Sequence, residues 1–197
     1  MGSIEGVVET SSRRARSELR LRDARVSELD EIGRLLGEIY GVFRGHLPPQ
    51  AWERYIGEIV DVRSRLGESE LIVAERAGQR IGTIGLYPDA SRSPVARWPE
   101  RWASIRALGV RADARRRGVG EALARECVRR ARERHAKAIG LHTASHMRAA
   151  TRLYERLGFR RAPEFDVEIG EMFTGRSLPA GETWQAQAYR LDLGELK

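Results

Sequence analysis

The first sixty residues carry two helical patterns behind a short extended one. Residues 17–23 alternate polar and apolar side chains, which predicts a strand. Between residues 29 and 43 apolar residues recur every three or four positions, which predicts an amphipathic helix, and Ser27 is expected as its N-cap. Pro48 and Pro49 predict the start of a second helix, because proline is favoured in the first helical turn.

The pattern of the remaining chain is mostly extended. Residues 69–76 and 80–87 flank the turn-forming triplet Ala77-Gly78-Gln79 and predict a β-hairpin. By the same criteria, strands are expected over residues 103–110, 137–143, 159–167 and 184–193. Helices are expected over residues 118–135 and 147–157, with Gly158 ending the second helix.

The predicted elements follow the order β-α-α-β-β-β-α-β-α-β-β. Interleaving of this kind indicates an α/β or α+β fold with a mixed sheet. No repeat or linker interrupts residues 17–197, which are therefore expected to form a single domain. Residues 1–16 are polar and rich in arginine and serine, and we expect them to form a flexible basic N-terminal tail.

The net charge limits which partners are expected, and the cysteine content limits which covalent and metal sites are expected. Lysine and arginine number 35 against 28 acidic residues, a formal net charge of +7. This excess favours anionic partners such as nucleotides, phosphorylated cofactors, nucleic acid or anionic lipid. The one cysteine, Cys127, excludes a disulfide or a thiolate zinc site within the chain, and no metal is expected. Cys127 lies on the apolar face of a predicted helix, where we expect a core residue.

The cellular location is predicted from two kinds of segment that the sequence lacks. No apolar run approaches the roughly 20 residues of a membrane span, and the first residues lack the apolar core of a signal peptide. A single cysteine also fits a reducing compartment. The sequence therefore predicts a cytoplasmic protein without a membrane partner.

An arginine- and glycine-rich loop, RRRGVG (Arg115–Gly120), separates the strand predicted over residues 103–110 from the helix that follows. The first N–H groups of a helix have no internal partner and bind anions readily. Glycine lets a phosphate approach the backbone closely, and arginine adds charge-assisted contacts. The loop is not a P-loop, and Leu123 replaces the third glycine of a dinucleotide-binding motif. From these residues alone, a phosphate site and a solvated surface loop remain equally open.

A second motif, AATRLYERLGF, occupies residues 149–159. Ala150, Leu153, Tyr154 and Leu157 share one face of an amphipathic helix that Gly158 ends. From spacing alone, Tyr154 is a half-buried core tyrosine with its hydroxyl near the surface.

The two motifs together resemble the GCN5-related N-acetyltransferase (GNAT) superfamily. The resemblance covers the strand 103–110, the Arg-x-x-Gly-x-Gly loop, the helix 118–135, the strand 137–143 and the helix that ends in LYERLGF. The predicted order of elements also matches that acyl-CoA N-acyltransferase fold. The resemblance implies an enzyme that moves the acetyl group of acetyl-CoA to a primary amine, by direct attack in a ternary complex and without a metal.

The resemblance also implies roles for individual residues. The loop residues Arg115, Arg116, Arg117, Gly118, Val119 and Gly120 would hold the pyrophosphate of acetyl-CoA. The backbone at Leu108 and Val110 would pair with the pantetheine arm, and an N–H of this strand would polarise the acetyl carbonyl. Tyr154 would protonate the leaving thiolate, which a phenol of ordinary pKa can do at neutral pH.

Two positions depart from the family's pattern. Ser104 stands where many members carry the glutamate that serves as general base, so His142 and a chain of water molecules stay open as proton acceptors. Met147 stands where the family often has an asparagine that caps the helix. Ser145 is then a candidate cap.

The acceptor is a primary amine on a small molecule or a peptide, and its identity stays open. The long link over residues 168–183 is expected to line its site as a binding loop. Tryptophans 98, 102 and 184 are equally compatible with an aromatic wall and with core packing. The acids Asp89, Glu164 and Asp166 are candidates for attracting a cationic amine. A homodimer also stays open.

Two other functions compete with catalysis. A protein of this fold that binds acyl-CoA without turnover would explain Ser104 and Met147. A nucleic-acid-binding protein would use the arginine-rich helix and tail, but no aromatic residue lies between these arginines to stack on bases, so nucleic acid is disfavoured as a partner.

Overall fold

Eight strands form one mixed sheet in the computed structural model, which describes residues 18–95, 98–170 and 185–194. The strands are β1 (Arg20–Asp23), β2 (Glu70–Arg76), β3 (Gln79–Tyr87), β4 (Trp102–Val110), β5 (Ala138–Thr143), β6 (Arg160–Arg161), β7 (Val167–Glu168) and β8 (Gln185–Asp192). The helices of that part of the chain are α1 (Leu29–Gly41), α2 (Pro49–Val60), α3 (Val119–Glu133) and α4 (Arg148–Arg156). The predicted mixed α/β architecture is therefore confirmed.

The strand order across the sheet is β1-β2-β3-β4-β5-β8-β6, and β7 also pairs with β8. Neighbouring strands are antiparallel except β4 and β5, which run parallel. A parallel pair needs a crossover connection, and α3 provides it. The loop at residues 115–120 therefore begins this crossover at the carboxyl end of β4.

Helices cover both faces of the sheet. Alternate residues of β2 point to opposite faces, so Ile72 packs in the cluster that contains α3, whereas Val73 packs in the cluster that contains α1 and α2. Cys127 is fully buried in the first cluster, where burial raises the pKa of its thiol. The expectation that Cys127 is a core residue is confirmed.

Two local predictions are wrong. Ser27 does not cap α1, because residues 26–28 form a turn of 3-10 helix and Glu28 takes the N-cap position. The strand predicted over residues 159–167 is divided into β6 and β7 by a 3-10 turn, which begins at Pro163. Proline lacks the N–H that a continuous strand would use for pairing. The predicted tail, residues 1–16, lies outside the described residues.

Glu28, a residue that is 7% exposed, joins three elements through its carboxylate. Arg22 of β1 donates to both carboxylate oxygens at 2.7 and 2.8 Å, and Arg80 of β3 donates at 3.0 Å. The backbone N–H of Arg25 donates a further hydrogen bond at 2.9 Å. These donors, with Arg22 as the largest contribution, lower the pKa of Glu28 to about 2.

We expect Glu28→Gln to lower the free energy of unfolding by about 3 kcal/mol at pH 7, because a buried carboxylate with a pKa near 2 is replaced by a neutral group. A carboxylate with a depressed folded-state pKa stabilises the fold above its ordinary pKa. The wild-type advantage should therefore be complete above about pH 5 and should fade as the pH falls towards 2. Urea denaturation at several pH values measures both.

The matched control is Asp30→Asn. Asp30 pairs with Arg63 at 2.8 Å, but its side chain is 83% exposed, so we expect a change within about 0.5 kcal/mol. An equal loss in both variants, or a Glu28→Gln effect that is the same at pH 7 and pH 3, would show that the buried carboxylate does not stabilise the fold.

Candidate functional site

A cavity of about 970 Å³ lies where β4 and β5 end, and its walls come from both helical layers and the arginine–glycine loop. Eight of the nine residues expected to bind the cofactor or to catalyse line it, namely Leu108, Val110, Arg115, Arg116, Gly118, Val119, Gly120 and Tyr154. Arg117 is exposed and is not among the lining residues. The fold therefore brings two motifs that lie about 30 residues apart in the sequence to one cavity.

The cavity opens because β4 and β5 separate. Their pairing runs from Trp102–Ala138 to Ile105–Leu141 and stops there, although β4 continues to Val110. The other edge of β4 is bulged at the same level, since two residue steps along β3 face three along β4. Ala107 occupies the bulge with a left-handed φ of +53°, which is unusual for a residue other than glycine. The Tyr40 hydroxyl donates to the Leu108 carbonyl at 3.1 Å, next to the bulge.

Backbone N–H groups at the start of α3 face no capping side chain. Gly118 is the N-cap residue, with a φ of +76°, and no side chain accepts from the first turn. The helix dipole adds positive potential at this end. Arg115 donates from Nε to the Val110 carbonyl at 3.0 Å, which ties the loop to the end of β4. The arrangement is suited to binding an anion.

Tyr154 on α4 is 4% exposed, and its ring packs near Phe159 with 5.6 Å between ring centroids. Within the described ranges nothing hydrogen-bonds to its hydroxyl. Burial raises the pKa of Tyr154 above its ordinary value, so the phenol stays protonated at neutral pH. Tyr154 therefore presents a proton donor at the cavity wall.

Ser104, the residue at the position of the family's glutamate base, does not line the cavity. Ser104 is 1% exposed, is absent from the lining residues, and pairs with Gly140 of β5. Its hydroxyl has no hydrogen-bond partner in the part of the chain that is described. Ser104 is therefore not placed to accept a proton from an amine in this cavity.

Two histidines line the cavity instead. His142 of β5 lies 2.8 Å from the Phe165 carbonyl through Nε2, and a carbonyl can only accept, so Nε2 carries the proton and Nδ1 holds a lone pair. His146 stacks on His46 with 4.2 Å between ring centroids. Burial lowers the pKa of both His142 and His146, which keeps them neutral at pH 7.

At the start of α4 the expected cap is also wrong. Met147 is the N-cap residue, and neither Ser145 nor another side chain caps the helix. Met147 lines the cavity and packs against the cluster of α1 and α2. The methionine therefore fills the helix start with an apolar side chain where the family often has a polar one.

Of the aromatic and acidic candidates for the acceptor site, Trp98 lines the cavity, whereas the three acids do not. Trp98 is 5% exposed, lines the cavity and stacks on Trp102, so it contributes to both wall and core. Residue 184 and most of the 168–183 link lie outside the described residues. Asp89, Glu164 and Asp166 do not line the cavity, and Asp166 is occupied by Arg161 and the N–H of Ala188.

Sequence reasoning missed several lining residues, among them His146 and Arg106. Arg106 of β4 is 9% exposed on its side chain and donates to Glu58 of α2 at 2.7 Å. The signal was a charge inside the otherwise apolar strand ASIRALGV, where alternation alone does not tell which side the charge faces.

Gly118 provides a local test of the loop geometry. An added Cβ would meet nothing within 4 Å at either Gly118 or Gly57, but only Gly118 has a left-handed φ. We expect Gly118→Ala to lower the free energy of unfolding by about 1–2 kcal/mol, and Gly57→Ala within α2 to raise it by about 0.5–1 kcal/mol. Urea denaturation of both variants measures the two changes in the free energy of unfolding. Changes of the same sign would contradict the left-handed loop conformation assigned to Gly118.

Neither a membrane span nor a metal centre is found in residues 18–95, 98–170 and 185–194. No helix there is long and apolar enough to cross a bilayer. The same residues contain no group of three or more histidine, cysteine or acidic side chains arranged to hold a metal ion.

The comparisons with known proteins agree with this geometry. The model of the acetyltransferase (GNAT) family matches residues 29–159, which is more than half of the chain. A Xenopus tropicalis protein named "Probable N-acetyltransferase camello" is 33% identical over 90 residues, which span 46% of this chain and 38% of that protein.

Solved structures show the same fold. PaiA N-acetyltransferase from Thermoplasma acidophilum, in complex with coenzyme A, is 14% identical with a TM-score of 0.63, covering 89% of this chain and 99% of its own. A putative acetyltransferase from Salmonella typhimurium with its cofactor acetyl-CoA is 17% identical with a TM-score of 0.59, covering 92% and 97%. With the family match over both motifs and the cavity that they line, the chain belongs to the GNAT family of acetyltransferases.

Proposed function

We propose that the protein transfers the acetyl group of acetyl-CoA to a primary amine by direct attack in a ternary complex. The observation that carries this proposal is the single cavity lined by the loop 115–120, the bulged end of β4 and Tyr154. The Thermoplasma and Salmonella proteins of the same fold were solved with coenzyme A and acetyl-CoA. Acetyl-CoA would supply the thioester.

The cofactor half of the cavity has the chemistry that a pyrophosphate needs. Uncapped N–H groups at the start of α3 would donate to it, and Arg115 and Arg116 would add charge-assisted contacts. Arg117 is exposed and lies outside the lining, so it would contribute through the long-range electrostatic potential. The backbone at Leu108 and Val110 would pair with the pantetheine arm where β4 is free of β5.

Proton transfer would use groups on two sides of the cavity. Tyr154 holds the proton that the leaving thiolate takes, and a backbone N–H of β4 at Leu108 or Val110 polarises the carbonyl under attack. The amine must lose a proton to attack. Since Ser104 does not reach the cavity, the neutral imidazoles of His142 and His146 are the lining groups that accept this proton, directly or through water.

Tyr154→Phe tests the acid. Removing the hydroxyl should lower kcat about 100-fold or more with little change in acetyl-CoA affinity, the scale of a lost general acid. The readout is thiol release during acetylation of an amine that the wild type accepts. Tyr189→Phe is the control, because Tyr189 is buried outside the cavity lining and should keep full turnover. Unchanged kcat in Tyr154→Phe would remove this residue from the mechanism.

Gly118→Glu tests the phosphate site. A carboxylate at the start of α3 should repel the pyrophosphate and occupy its donors, so acetyl-CoA affinity should fall about 100-fold or more. Gly118→Ala is the matched control, because it carries the same backbone strain without the charge and should retain most of the affinity. Equilibrium dialysis measures both, and equal affinities in the two variants would place the pyrophosphate elsewhere.

A further inference from the structure

The charges that line the cavity are strongly unequal. The only carboxylate among the described lining residues is Glu121, in the first turn of α3, and Arg125 donates to it at 2.9 Å. The cationic lining residues are Arg106, Arg115, Arg116, Arg148, Arg152 and Arg156. Five of these six lie on the loop 115–120 or on α4, and all five are exposed. Arg106 alone lies on β4, on the side of α2.

Arg106 has hydrogen-bonding capacity to spare. Its Nη2 donates to Glu58 at 2.7 Å, whereas its Nη1 is buried and, within residues 18–95, 98–170 and 185–194, has no hydrogen-bond partner. Leaving a charged donor buried without an acceptor is costly. Glu58 is 45% exposed, so its carboxylate is partly shared with water. An anionic oxygen entering from the cavity would satisfy this guanidinium.

The walls around Arg106 are aromatic and apolar. Tyr40 and Phe43 of the α1 region, Trp52 and Tyr55 of α2, and Trp98 all line this half of the cavity. Their rings contact one another with centroid distances near 6 Å in the group of Tyr40, Phe43 and Tyr55. A guest here would bury an apolar body against these rings.

The geometry points to an acceptor that is an amino-carboxylate with an apolar body, such as a hydrophobic amino acid, whose carboxylate binds Arg106. This inference rests on the proposed acetyl transfer and adds to it the class of the acceptor. Arginine matches a carboxylate with two parallel hydrogen bonds, and the aromatic walls take the apolar part. The amine then lies beside the bulge that follows Arg106, at the open end of β4.

A polycationic acceptor does not fit these charges. Asp89, Glu164 and Asp166, the acids that the sequence offered for a cation, all lie outside the lining. A second ammonium group would meet Arg106, and the described lining of this half of the cavity offers it no carboxylate, since Glu58 lies outside the lining and is already paired with Arg106. Like charges at close range inside a protein are strongly unfavourable.

The experiment tests three acceptors on the wild-type protein: L-phenylalanine, its carboxamide and spermidine. The readout is the release of thiol from acetyl-CoA. We expect kcat/KM to be highest for phenylalanine. In Arg106→Gln the ratio of kcat/KM for acid over amide should fall about 10- to 100-fold, the scale of a lost charge-assisted contact. Arg106→Lys should keep part of the preference, because it keeps the charge without the fork.

Arg63→Gln is the matched control. It removes an exposed arginine that pairs with Asp30, so the ratio of acid over amide should stay at the wild-type value. A role of Arg106 that is only structural would lower kcat/KM for acid and amide together and leave their ratio unchanged. That result would overturn the assignment of the carboxylate site.

Acetyl-CoA binding, measured in parallel by equilibrium dialysis, separates the two proposals. Where acetyl-CoA binds, a wild-type preference for the amide or for spermidine overturns the acceptor class and leaves acetyl transfer in place. Binding without turnover of any of the three probes also overturns the acceptor class. Absence of acetyl-CoA binding overturns the proposed function itself, and the acceptor class with it.

Discussion

The short pairing between β4 and β5 is the constraint on which the site depends. The two strands share the pairs from Trp102–Ala138 to Ile105–Leu141 and then separate. The sheet is therefore continuous over these pairs and opens towards the carboxyl ends of the two strands. The bulge at Ala107 turns the backbone of β4 at this level. Continuous pairing to Val110 would close the gap into which α3, α4 and the loop 115–120 now direct their polar groups. The carboxyl ends of two central strands thus form a cavity without a break in the core.

Much of this arrangement could be predicted from the sequence, because periodicity reports which residues are buried. The apolar stripe of α3 contains Val119, Leu123 and Cys127, and all three are at most 1% exposed. The loop RRRGVG and the motif around Tyr154 are local patterns, and the fold places both on one cavity. The order of strands and helices was also predictable, since several boundaries carry a turn glycine, such as Gly78 or Gly158, which has a positive φ.

The remaining features depend on contacts between distant residues. The bulge falls on Ala107, which gives no local signal, because an alanine ordinarily avoids a positive φ. Ser27 matched a capping motif, but Glu28, which Arg22 and Arg80 hold by hydrogen bonds, takes the N-cap position. Arg106 has the same charge as its exposed neighbours in the sequence. Only the folded structure shows that its guanidinium is buried against Glu58 of α2 and lines the cavity.

The central claim is that the cavity between the separated strands binds acetyl-CoA through the loop 115–120. The most direct measurement is a calorimetric titration of the protein with acetyl-CoA, with ADP as the reference ligand. The account predicts saturable binding at one site, tighter for acetyl-CoA than for ADP, since only acetyl-CoA carries the pantetheine arm that β4 would pair with. Absence of saturable heat, or equal affinity for the two ligands, would contradict it.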